Sequence, residues 1–178
     1  MVRPKMKMPI LVPIPIKTKS ESVSIRVWKW ITSIREWKLI EDWEYVLPDG
    51  PKIIVPKGFR FDGASIPRSL WALLSPTGLL LIPGLIHDFA YRYDYFWALD
   101  EEGNAYKYEE GAGRKFWDGI FKEVGIEVNG LAVIDTLAWF ALATAGWWAW
   151  RSNRKLNAPE LLPDKPLQSD KQNSESIT

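Results

Sequence analysis

Cysteine is absent from this chain. That excludes a disulfide framework and any cysteine-ligated zinc site. Histidine occurs once, at His87, so any imidazole chemistry has a single candidate. A strong charge of one sign is also lacking: 23 Lys and Arg face 22 Asp and Glu, a net charge of +1. A specific nucleic-acid binder normally carries a basic field, so no nucleic-acid partner is expected. The N-terminal stretch MVRPKMKMPILVPIPIK is basic and then apolar, but Pro9, Pro13 and Pro15 break it. No small-residue cleavage site follows, which makes it a poor signal peptide.

Large apolar side chains are abundant. Hydrophobic residues make up 47% and the chain holds 11 Trp, enough to bury a sizeable core. The length suits one domain plus tails. An extended arm over residues 1–20, able to pair with another subunit, leads into a single domain over 21–152. A polar, proline-containing tail over 153–178 is expected to be disordered.

Alternation predicts strands over 24–31 and 37–47. Pro48, Asp49, Gly50 and Pro51 are a turn signal, and residues 52–55 return as a hairpin partner. Ser65 and Pro67 open a short helix over about 66–74. A helix from Pro83 or Gly84 carries HDFAYR, polar residues 97–109 read as a loop, and a helix over 109–124 follows. Asn129 can cap a last helix running to about Ser152, whose apolar stretch 131–150 contains only Asp135 as a charge. That stretch could be buried, interfacial or membrane-spanning, and its Trp147, Trp148 and Trp150 precede Arg151 as in an interfacial belt. The expected class is α+β, with a small antiparallel sheet or hairpin packed on three to four helices.

His87 and Tyr91 are four apart and share a helix face, whereas Asp88 is turned by about 100°. Arg114 and Asp118 are also four apart. Two antiparallel helices can set Asp118 against the imidazole, fixing its tautomer and leaving the other nitrogen as a base. The same groups can instead form a structural network between helices. Ser65 as a nucleophile would lack the usual elbow sequence.

HDFAYR followed by RKFWDGIF resembles the active-site helices of bacterial and fungal phospholipase A2 enzymes. That resemblance implies His87 as the water-activating base, Asp118 as its orienting carboxylate, Asp88 as a calcium ligand and Tyr91 as a supporting hydroxyl. Asp62 is the other candidate calcium ligand, although calcium takes six to eight oxygens. The family's disulfides and glycine-rich calcium loop have no clear copy here. Arg68 can serve as scaffold or bind a substrate phosphate.

Over residues 40–151, the order FDGASIPR, HDxxYR, DxxF and GWWAWR resembles a family of small phage-encoded proteins of unknown function. It implies phage or prophage origin, with host cytoplasm or virion as the location. Expected partners are a phospholipid membrane through residues 131–150, phage structural proteins, or further copies of the chain.

Overall fold

In the computed structural model the described residues are 7–15, 22–24, 36–61, 80–133, 135–137, 139–140, 147, 150–151 and 158–167. The expected strand over 24–31 lies almost wholly outside them, as do the helix over 66–74, Asp62, Ser65 and Arg68.

The fold is α+β, built on two antiparallel sheets. The first has the order β1 (Leu11–Pro13), β2 (Trp37–Leu39) and β5 (Arg60–Phe61). Its first strand belongs to the N-terminal arm, which pairs with its own chain, Leu11 opposite Leu39. The second has the order β3 (Trp43–Val46), β4 (Lys52–Val55), β6 (Phe96–Leu99) and β7 (Ala105–Tyr108).

The strand expected over 37–47 is therefore two strands in different sheets. They part at Ile40–Asp42, where Asp42 Oδ1 accepts from the Lys57 backbone N–H at 2.7 Å. The β3–β4 hairpin forms as its turn signal requires, with Tyr45 opposite Ile53. The stretch expected to be a loop over 97–109 holds most of a second hairpin. Its polar residues are the turn: Asp100 accepts from the Asn104 backbone N–H at 2.7 Å, and Gly103 takes a positive φ of 84°.

Helix α1 spans Leu81–Tyr93 and helix α2 spans Arg114–Asn129. The second starts later than expected because Gly111 and Gly113, at φ 81° and 82°, hold the chain out of helical geometry. Asn129 is its last residue rather than a cap for the next helix. Gly130 at φ 66° ends it, and Asn129 Nδ2 donates to Asp135 Oδ1 at 2.8 Å. Residues 132–133, 135–137, 139–140, 147 and 150–151 are helical. Among the described residues no helix is long and apolar enough to cross a membrane.

Pleating divides the second sheet into two covered faces. Phe96 faces the helices, 6.0 Å from Phe89 and 5.0 Å from Trp117 between ring centroids. Trp97 faces the opposite way, toward residues 158–167. That segment, part of the tail expected to be disordered, is a strap. Tyr93 Oη donates to Pro159 O at 3.2 Å, Tyr95 Oη to Glu160 Oε1 at 2.9 Å and Trp97 Nε1 to Leu161 O at 2.8 Å. Farther on, Asp164 N donates to Asp42 Oδ2 at 2.6 Å, and Ala105 N donates to Pro166 O at 2.6 Å. The composition of the tail is polar, but its backbone carbonyls suit the indole and phenol donors on the sheet.

Candidate functional site

Helices α1 and α2 pack against each other with polar groups buried between them. Asp94 sets their relation. It caps α1 in the left-handed conformation at φ 61°, and its Oδ1 accepts from Gly113 N at 3.0 Å and Trp117 Nε1 at 2.6 Å. The end of the first helix is thereby fastened to the beginning of the second. Asp118, one residue past Trp117, is carried against α1.

The Asp118 carboxylate collects three donors. Oδ1 is 3.2 Å from His87 Nε2 and also accepts from the Tyr91 hydroxyl. Oδ2 accepts from Arg114 Nη1 at 3.0 Å. The Arg114–Asp118 contact follows from i, i+4 spacing within one helix, and the same spacing puts His87 and Tyr91 on the face of the other helix that packs against Asp118. A carboxylate only accepts, so Nε2 carries a proton and, in the neutral ring, Nδ1 holds the lone pair. Asp88 Oδ1 is 4.0 Å from Nδ1, an ion-pair distance too long for a direct hydrogen bond.

Aromatic rings enclose the site. Phe121 meets the imidazole edge-on at 5.3 Å, and Trp150 meets the Tyr91 ring edge-on at 5.1 Å. His87 itself is only 1% exposed. Burial pushes its pKa down, but the carboxylates of Asp118 and Asp88 more than offset this and raise it above 6.5. Burial, together with Asp118, pushes the Tyr91 phenol up, so it remains a proton donor to the carboxylate.

His87, Asp118, Tyr91 and Arg114 thus meet in one network, with Asp88 beside it. Asp62 and Arg68 lie outside the described residues. Among the described residues no group of three or more His, Asp or Glu side chains is placed to hold a metal. Asp88 alone does not supply the six to eight oxygens that calcium takes. Two features of the site escape a reading of local spacing. Trp150 reaches Tyr91 from 59 positions later in the chain, and the Asp94–Trp117 fastening joins two helices across the second hairpin. Asp94 sits just past the HDFAYR run, where an aspartate closing a helix is a usable signal.

The family described as Protein of unknown function (DUF1353) matches residues 37–142, more than half of the chain. No curated protein and no solved structure matches it.

Proposed function

Because this chain belongs to the DUF1353 family, whose function is unknown, we propose its function from the site: hydrolysis of a carboxylic ester by a His87–Asp118 pair. The observation that carries this reading is the Asp118 contact at 3.2 Å on His87 Nε2, which directs the lone pair of Nδ1 away from the orienting carboxylate. In this reading Nδ1 takes a proton from water as the water oxygen attacks the ester carbonyl carbon. The proton then passes to the departing alkoxide, and the products are a carboxylic acid and an alcohol. Asp118 stabilises the imidazolium formed between these steps, while Tyr91 and Arg114 hold Asp118 in place. No step is routed through a metal.

The substrate we propose is a phospholipid, following the likeness of the two helix motifs to phospholipase A2. The exposed apolar residues Val133, Leu137 and Phe140, at i, i+4 and i+7 spacing, are the face proposed to meet a lipid surface. Calcium at Asp88, with Asp62, belongs to the same proposal. Purified protein is expected to release fatty acid from phospholipid vesicles, and His87→Gln to abolish release. Assays with added calcium and with EGTA test the metal. Equal release by wild type and His87→Gln overturns the hydrolase assignment.

A second reading rests on the 1% exposure of His87. There the same residues are a structural network in a non-enzymatic phage protein, either a virion component or a host-interaction factor. It predicts no lipolysis, and His87→Gln lowering the stability of particles or assemblies that contain the protein.

A further inference from the structure

Asp135 is the only charged residue between Leu131 and Trp150, yet it is 0% exposed. It follows Gly130, whose φ of 66° ends α2 and lets the chain double back. The helical residues after that turn bring its carboxyl against α2. Oδ1 accepts from Asn129 Nδ2 at 2.8 Å. Gly125 forms the seat, since a Cβ there would stand 2.8 Å from Oδ1 and 3.3 Å from the Asp135 Cβ. Oδ2 is sealed from water and has no hydrogen-bond partner.

The charged groups of α2 nearest this seat are engaged elsewhere or face solvent. Lys122 is drawn over the Trp139 ring at 5.1 Å, Glu127 accepts from the Tyr45 hydroxyl at 3.1 Å, and Glu123 is exposed. Burial raises the Asp135 pKa above its ordinary 3.8, and the Asn129 amide opposes this only in part. A sealed carboxylate with a single neutral donor is costly, and taking up a proton removes most of that cost. Because Oδ1 already accepts, the proton belongs on Oδ2.

We propose that Asp135 is a proton-operated latch: as the neutral acid it holds the stretch after Gly130 on α2, and as the carboxylate it loosens that stretch. The docked form binds the proton more tightly than the detached form. Docking is therefore strongest below the ordinary value of 3.8 and weakens as pH rises through the docked value. The stretch held in this way also displays Val133, Leu137 and Phe140 to solvent. One proton thus decides how firmly that apolar face is fixed to the body of the protein, whether or not the site at His87 hydrolyses an ester.

The lack of cysteine lets spin labels be placed at two chosen points. Labels on Lys115→Cys and Leu137→Cys, both exposed positions, report by pulsed EPR the separation of α2 from the stretch after Gly130. As pH rises from the ordinary carboxyl range, the ratio of long to short distances should increase by up to about tenfold per pH unit and then level off. In Asp135→Asn, a neutral isostere, the ratio should stay at its acid level throughout. His87 also titrates with a raised pKa, so the transition must persist in a His87→Gln background. A wild-type ratio that does not change with pH overturns the latch, as does a transition retained in Asp135→Asn or lost with His87→Gln. If Asp135→Asn does not fold, the 13C carboxyl signal of Asp135 in the otherwise wild-type labelled protein carries the test. A midpoint above 3.8 that coincides with the distance change supports the latch, and any other midpoint overturns it.

Discussion

At His87 the requirements of stability and of base catalysis oppose each other. Its raised pKa means that the folded state binds the proton more tightly than the unfolded chain does. The stabilisation is complete below the unfolded value near 6.5 and disappears as pH rises through the folded value. A general base needs the neutral ring, so hydrolysis should increase with pH over the interval in which this stabilisation is lost. Urea unfolding of wild type and His87→Gln from pH 5 to 9, beside a pH–rate profile, checks both signs. A rate that falls as pH rises above 6.5 would contradict the base role. Asp118→Asn should cost about 3 kcal/mol in the same unfolding measurement, because it breaks a buried charge pair and misdirects donors onto His87, Tyr91 and Arg114. The i, i+4 spacings of these residues made the candidate site legible in the sequence. They could not show the enclosure of the site, where Phe121 meets His87 and Trp150 meets Tyr91.

Among the elements, the junction between α1 and α2 depends on one side chain. Asp94→Ala removes the acceptor for Gly113 N and buried Trp117 Nε1 and places alanine at a positive φ. A loss of roughly 2–4 kcal/mol in unfolding free energy is expected. Asn at this position tolerates the left-handed conformation and keeps an oxygen acceptor, so Asp94→Asn should cost less than alanine. Similar losses for the two variants would contradict this account. Gly125 sets the next contact, since a Cβ there would come within 2.8 Å of Asp135 Oδ1. The existence of these helices was legible from their apolar spacing, while their starts were not. The second hairpin was hidden because the Asp-Glu-Glu-Gly-Asn turn dominates a short window whose aromatic flanks are the strands.

Across the whole molecule, the strap makes residues distant in sequence part of one core. It covers the face of β6 opposite the helices, and Lys107 is held there between Glu160 at 2.9 Å and the Tyr95 ring at 4.6 Å. Truncation after residue 157 should uncover Tyr95 and Trp97, lower Tm by several degrees and increase binding of a hydrophobic dye. Unchanged Tm and dye binding would show that the strap contributes no stability. Sequence reading missed this segment because its partners are 53 to 122 positions away and the strap itself accepts and donates largely through its backbone. Side-chain composition gives no sign of such contacts.

The same spacing orders events during synthesis. Trp97 is made 64 residues before Leu161, whose carbonyl receives its indole N–H. At about 5–20 residues per second, the ribosome leaves that tryptophan uncovered for roughly 3–13 s. Over that interval the nascent sheet displays an aromatic surface that waits for residues 158–167 to close it.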